Sequence, residues 1–377
     1  MEDINVKLKK IMLIIFILII VIIIGALTFI DIWLDFGKTP SEKSKKIYSA
    51  KTEYYHDGKY HNSKDFEMLV KVKERNMITE MLTSHPDTKP KGKIPVDKID
   101  EFPHAEADEM KITWFGHSTV MLQMHGMNIL TDPVLSRYVS PVSFIGSERM
   151  AELPMEAENL PLIDLVLISH DHYDHLDYET IKKIDSKVKK YCVPLGVESR
   201  IQRWNIDKEK INSMAWYDEL QIEGINVAFT PAQHNSGRGI NDSDSTLWGG
   251  YYLKDQYHSF YYTGDTGKGD FFKDINERYG SVELMMADTG QYDEMWPYYH
   301  MNPQESLQSA EEMKTKWLVP VHWAGFALAN HPWYEPGEKI TELAEKSDIN
   351  VATPIIGQTI DFKDIAGATE KWWKELK

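Results

Sequence analysis

Asp164-Leu165-Val166-Leu167-Ile168-Ser169-His170-Asp171-His172-Tyr173-Asp174-His175 begins as an apolar run and empties into three imidazoles and two carboxylates within six residues. The first half has the length and composition of a buried β-strand. A strand ending on such a cluster delivers it to one sheet edge, which a merely solvated loop has no reason to do. In extended chain the side chains repeat every two residues, so His170 and His172 point the same way and one metal ion can collect both. Asp174 and His175 are adjacent and must diverge, which suits a second ion a few ångströms away. Neutral imidazole with carboxylate suits zinc, with manganese or iron as alternatives.

Outward from this stretch, β-prone runs recur at 111–115, 119–124, 127–131, 225–230, 248–253, 259–263, 282–286 and 317–321. Helical patterns are fewer: 178–184, 303–314 and 338–346. Many strands with interspersed helices predict an α/β protein, two sheets covered by helices. Three of the runs end on residues that can ligate a metal: His234 after 229–233, Asp265 in Gly264-Asp265-Thr266-Gly267, and His322 after 318–321. Singly, each is as easily a satisfied core histidine or a turn aspartate. Together with the first cluster they complete a two-metal ligand set. Asp177, two residues past His175, either orients a ligand imidazole or caps the helix that follows.

The chain has 377 residues, enough for one large domain or two modest ones, and 42% are hydrophobic, so a sizeable core is available. Its formal net charge of −16 argues against a nucleic-acid surface, which needs clustered Lys and Arg. Cys192 is the sole cysteine, so no internal disulfide can form, and its apolar neighbours predict a buried structural thiol.

Residues 11–30 are apolar throughout except Gly25 and Thr28, with no charge. A helix of that length matches a bilayer core. A cleaved signal peptide competes, but its apolar region is shorter and ends in a small-residue cleavage site absent here. The expectation is a retained single-pass anchor after a short tail, 1–10. Lys7, Lys9 and Lys10 precede it and Asp31 and Asp35 follow, which places the catalytic part on the outer side of a cell membrane. Residues 31–108 are polar and rich in spaced prolines, with one helix-like stretch at 65–82. They read as a linker and surface strap, and His56, His61, His85 and His104 as surface residues. Residues 109–377 hold the catalytic domain.

The motif His170-x-His172-x-Asp174-His175, with His234, Asp265 and His322, resembles the metallo-β-lactamase superfamily. More narrowly, the stretches 113–120, 130–134, 168–177, 263–267 and 321–330 resemble its branch containing N-acyl-phosphatidylethanolamine-hydrolysing phospholipase D. The resemblance covers roughly 110–362. It implies a four-layer αββα sandwich, here preceded by a transmembrane helix, and two divalent metal ions. His170, His172 and His234 would hold one, Asp174, His175 and His322 the other, with Asp265 bridging. It implies catalytic roles for Asp174 and His300, substrate contact by Tyr173 and His300, and a structural role for His117. The reaction would be hydrolysis of a lipid or lipid-like phosphodiester at a membrane, with a homodimer left open. The alternative is a lactone or carboxylic-ester hydrolase of the ascorbate-6-phosphate lactonase type, and a third reading is a non-catalytic metal-binding membrane protein. Cys192 is far from any ligand position, which disfavours antibiotic hydrolysis by the subclass that uses a cysteine ligand.

The aromatic stretches at 296–299 and 331–334 either line an entrance or pack in the core. Trp372 and Trp373 are expected on a terminal helix docked on the domain, or touching a membrane surface.

Overall fold

The alternation of side chains along the strands builds the layers. Leu165 and Leu167 join one apolar core while Val166 and Ile168 join another, and Ile129 and Leu130 divide in the same way. A strand buried on both faces reads as an unbroken apolar run, which is why these segments are legible as strands and not as amphipathic ribbons. The computed structural model describes residues 2–377 apart from 68, 74, 77–82, 84 and 143.

Two seven-stranded mixed sheets result. The first has the spatial order β10 (Ile211–Met214), β9 (Val188–Pro194), β8 (Ile163–Leu167), β5 (Met127–Thr131), β4 (Val120–Met124), β3 (Met110–Trp114), β18 (Thr359–Asp361). The second runs β11 (Glu219–Ile222), β12 (Ile225–Thr230), β13 (Gly250–Lys254), β14 (Ser259–Tyr262), β15 (Leu284–Asp288), β16 (Trp317–Val321), β17 (Asn350–Val351). Their inner faces share one core, in which Ile112, Leu122 and Leu165 meet Val227, Phe260 and Val319. Helices α3 (Tyr178–Ile184) and α4 (Val197–Arg203) cover the outer face of the first sheet through Ile181, Ile184, Val197 and Ile201. On the second sheet, α5 (Phe271–Tyr279), α6 (Pro303–Glu312) and α7 (Glu335–Ala344) do the same through Phe272, Ile275, Leu307 and Ile340. This is the expected αββα sandwich.

Strand direction decides where the loops gather. β5 and β8 are parallel, as are β14, β15 and β16. β12 is antiparallel to β13, which is antiparallel to β14, so β12 runs with β14. The C-terminal ends of β5, β8, β12, β14, β15 and β16 therefore open on one edge, the usual place for a site in a sheet with parallel strands.

Helix α6 carries a capping box, Asn302 with Glu305, and a proline at its first turn. Helix α7 starts three residues before the expected 338, since Pro336 is compatible with a first turn. Strand β9 was not expected because Lys189 and Lys190 interrupt its apolar pattern; both are exposed at the start of the strand. Trp372 and Trp373 sit in a short 3₁₀ helix packed on Trp323, with Trp373 fully buried.

The N-terminal helix α1 (Glu2–Ile32) contains one stretch, Lys7–Ile32, long and apolar enough to cross a membrane, and none of its described side chains is buried against the rest of the chain. Residues 31–108 do more than lie on the surface. Helix α2 (Glu42–Lys51) and the hairpin β1 (Tyr55–His56), β2 (Lys59–Tyr60) send Tyr48, Tyr55 and Tyr60 into the core. The helix expected over 65–82 falls in part outside the described residues; 65–67 and 69–73 are not helical. A last small hairpin, β6 (Tyr138–Val139) with β7 (Ser147–Glu148), projects beside the shared edge.

Candidate metal centre

His170, His172, Asp174 and His175 leave the end of β8, His234 that of β12, Asp265 that of β14 and His322 that of β16. The sandwich brings all seven together. His172 Nδ1 lies 2.9 Å from His170 Nε2 and 3.3 Å from His234 Nε2. Two imidazole nitrogens on a tetrahedral zinc stand about 3.3 Å apart, given a Zn–N bond of about 2.05 Å. A second group comprises Asp174, His175 and His322, with His117 beside them. His175 Nε2 is 3.5 Å and His322 Nε2 4.0 Å from Asp174 Oδ2. Asp265 stands between the groups. Its carboxylate lies 3.0 Å from both His175 Nε2 and His322 Nδ1, and 3.9 Å from His170 Nε2 and His234 Nε2.

The donor set fits metal ions on two counts. Among the described residues, Asp265 Oδ1 and His175 Nε2 are buried and, although each faces an oppositely polar atom at 3.0 Å, neither makes a hydrogen bond of good geometry, a state that native proteins rarely leave unexplained. The charge balance agrees. Burial pushes the Asp265 carboxyl up to about 7 and holds His170, His234 and His322 well below the ordinary imidazole value, as the neutral bases that ligate. Burial opposes charge on His175 too, but Asp265, Asp174 and Asp132 outweigh it and raise its pKa. Cations placed among these groups supply the positive charge that the carboxylates lack.

Neighbouring residues hold the candidate ligands in place, and of these Asp132 and Asp288 were not assigned a role from sequence. Asp132, at the end of β5, is 2.7 Å from His175 Nδ1 and accepts from Ser169 N–H at 2.7 Å and from the Tyr262 hydroxyl. It fixes the tautomer that leaves Nε2 free for the centre. His117 Nε2 lies 3.1 Å from Asp174 Oδ2, and its backbone exchanges hydrogen bonds with the 322–323 turn. The expected structural role is therefore exercised on a proposed ligand. Asp288, the last residue of β15, sits 2.9 Å from His300 Nδ1. Burial raises Asp288 well above the carboxylate range and lowers His300. Asp177 caps α3, accepting from Glu179 N–H, and also accepts from Ser136 N–H, which resolves its two expected roles in favour of the cap.

Backbone geometry supports the same edge. His117, Asp132 and His322 all have positive φ, a conformation rarely adopted outside glycine and concentrated at functional sites. Gly264, before Asp265, has φ +62°, and a Cβ there would come within 2.6 Å of the Gly249 carbonyl oxygen.

A cavity of about 460 Å³ opens over the cluster, lined by His172, Asp174, His234, Asp265, His300 and His322 and by Leu69, Trp296, Tyr299 and Leu328. Trp296 and Tyr299 thus belong to an entrance, one of the two roles open to that stretch. Leu69 and Asn62 come from the segment expected to be a strap. The Asn62 side chain brackets the His234 backbone, donating to its carbonyl at 2.8 Å and accepting from its N–H at 3.0 Å. Tyr173 does not line this cavity. Its hydroxyl donates to the Arg238 carbonyl at 2.8 Å, and the Arg238 guanidinium lies 4.0 Å from its ring. The Arg238 guanidinium is a cation–π partner of the ring.

Residues 127–323 match the family described as the beta-lactamase superfamily domain. The chain is 34% identical over 324 residues to an uncharacterized protein of Mycobacterium tuberculosis, spanning 84% of this chain and 87% of that one. It is 31% identical over 293 residues to N-acyl-phosphatidylethanolamine-hydrolyzing phospholipase D 1 of Caenorhabditis elegans, spanning 74% and 81%. The metallo hydrolase Igni18 of Ignicoccus hospitalis, at 20% identity, superimposes with a TM-score of 0.51 over 67% of this chain and 98% of that one, a likeness of fold. With the family model covering more than half of the sequence and relatives aligned along most of it, this chain belongs to the metallo-β-lactamase superfamily of metal-dependent hydrolases.

Proposed function

We propose that the protein is a membrane-anchored phosphodiesterase of phospholipase D type, acting on N-acyl-phosphatidylethanolamine-like or other lipid phosphodiesters with two divalent ions, zinc foremost. The observation that carries this reading is one cavity lying over the His/Asp cluster, lined by five of its seven candidate ligands and by the apolar side chains of Leu69, Trp296 and Leu328. The named activity of the Caenorhabditis elegans relative supports it, as does a helix long enough to span a bilayer.

On this reading His170, His172 and His234 would hold one ion and Asp174, His175 and His322 the other, with Asp265 available to both groups. Two such ions would supply Lewis acidity and lower the pKa of water at the site. The remaining work belongs to the protein. Asp132 and His117 orient His175 and Asp174. Asp288 Oδ2, 2.9 Å from His300 Nδ1, orients that imidazole. A protonated Nε2 on the oriented ring can hand a proton to the leaving alkoxide. Leu69, Trp296 and Leu328 bind acyl chain and exclude water. The lysines in the first turns of α1, ahead of its apolar run, favour a catalytic domain on the outer side of the membrane.

The test is a screen of metal-loaded protein across lipid phosphodiesters, lactones and carboxylic esters. Phosphodiester lipids are expected to be cleaved. Asp265→Ala and His172→Ala are each expected to lose at least about a hundredfold in turnover, along with bound metal measured by elemental analysis. Intact phosphodiester lipids beside a cleaved lactone would transfer the protein to the lactonase type.

A further inference from the structure

No slack chain separates the apolar helix from the catalytic domain. Helix α1 ends at Ile32, and within the next few residues the chain is held repeatedly. Trp33 Nε1 donates to the Pro141 carbonyl at 2.5 Å, and Trp204 Nε1 donates to that of Leu34 at 2.6 Å. Arg238 Nε and Nη2 donate to the Asp35 carbonyl at 2.9 and 2.7 Å, and the Arg203 guanidinium donates to that of Asp31. At about 1.5 Å per residue, Lys7–Ile32 is about 39 Å long, close to the roughly 40–45 Å of a bilayer with its headgroups. A domain pinned to the last turn of such a helix has those pinning loops at the membrane surface.

Both loops end in bare apolar side chains. The tip joining β6 to β7, anchored through Pro141, exposes Phe144 at 72% and Ile145 at 61%. The loop after Arg238 exposes Ile240 at 67%, in a groove shared with Ile30, Phe36, Lys38 and Arg203. Single exposed apolar residues are ordinary; three on the two loops that grip the end of one apolar helix are not scattered at random. Large apolar tips with nearby Lys and Arg suit the acyl–headgroup boundary.

We infer that Phe144, Ile145 and Ile240 form a bilayer-contacting face around the end of α1, seating the catalytic domain in the headgroup layer. This rests on reading α1 as a membrane anchor. The same two loops lead to the candidate centre. Ser147 Oγ, at the base of the first, bonds the Ala327 carbonyl and N–H at 2.9 and 3.1 Å, next to Leu328 of the cavity mouth. Asn235 of the cavity is five residues from Ile240, at most about 17 Å of extended chain. A lipid lifted from the bilayer at this face is delivered beside the mouth without crossing bulk water.

Full-length protein is reconstituted in vesicles of equal parts phosphatidylcholine and phosphatidylglycerol, with a bimane label at F144C or I240C and, as control, at exposed Leu162 (L162C). The buried Cys192 stays unlabelled. Labels at 144 and 240 are expected to be quenched by brominated lipid and shielded from iodide, and the label at 162 to behave oppositely. If 144 and 240 respond as 162 does, the inference is overturned; protein that fails to float with the vesicles overturns the anchor as well. F144S combined with I240S is expected to slow hydrolysis of vesicle lipid roughly tenfold while sparing a soluble aryl phosphodiester. Membrane-seated labels on a protein that cleaves no phosphodiester lipid would keep this face and remove the phosphodiesterase reading. Water-exposed labels with vesicle lipid hydrolysed would do the reverse.

Discussion

Asp132 shows how much of a metal centre can hide in an ordinary-looking residue. It stands before Pro133 in 130–134, a stretch that carries the family resemblance but gives this aspartate no role. Yet it meets His175 Nδ1, Ser169 and Tyr262 at once in a fully buried position. Asp132→Asn keeps the size and loses the charge that aligns the imidazole. We expect about a 10–100-fold fall in metal affinity or turnover with the fold retained, measured by chelator competition alongside circular dichroism. Asp288 was within reach of sequence reasoning, since the run ending Met286-Ala287-Asp288 repeats the signal that marks Asp265. The strand simply ran two residues past the expected boundary at 286. Cys192 is the opposite case, legible and structurally inert. Burial pushes its thiol up to about 12. Alkylation of the native protein at pH 8 should therefore be far slower than in denaturant, and fast native labelling followed by mass spectrometry would contradict its buried placement.

Among elements, the segment 31–108 departs most from expectation. Its polarity and prolines give no periodic pattern, so its contacts are invisible until the sandwich exists to receive it. Asn62 then brackets His234, and the Trp248 indole also donates to its side-chain oxygen. Removing the side chain by Asn62→Ala leaves backbone polar groups of a proposed metal ligand without these partners. A loss of about 1–3 kcal/mol in urea denaturation is expected, with weaker metal retention. A change within a few tenths of a kcal/mol would mean that water replaces the amide fully. Arg238 plays a related part between elements, bonding the Asp171 and Leu176 carbonyls of the histidine motif while holding Asp35 after α1.

For the whole molecule, the centre lies between two sheets. The candidate ligands that follow β8 belong to the first and those that follow β12, β14 and β16 to the second, so ions bound there would cross-link the halves of the sandwich. Ligands that bind only the folded state stabilise it by mass action, about 2.7 kcal/mol at a hundred times the dissociation constant. Chelation should lower the thermal midpoint by about 5 °C or more, recovered on adding zinc. An unchanged midpoint by scanning calorimetry would argue against ions bridging the sheets.

Residue order alone made legible the fold class and the strand ends that carry the candidate ligands. Apolar runs of four to eight residues rich in β-branched side chains read as buried strands, and polar clusters at their ends emerge at an edge. It also marked the apolar helix, because a span is a local property of length and composition. The tertiary structure alone decided which distant groups meet. Asp132 reaches His175, Asn62 reaches His234 and His117 reaches Asp174 across separations set by strand order and direction. It alone turned Tyr173 toward Arg238 and joined α1 to the domain without slack. Those contacts depend on packing between segments far apart in the chain, and no local pattern encodes them.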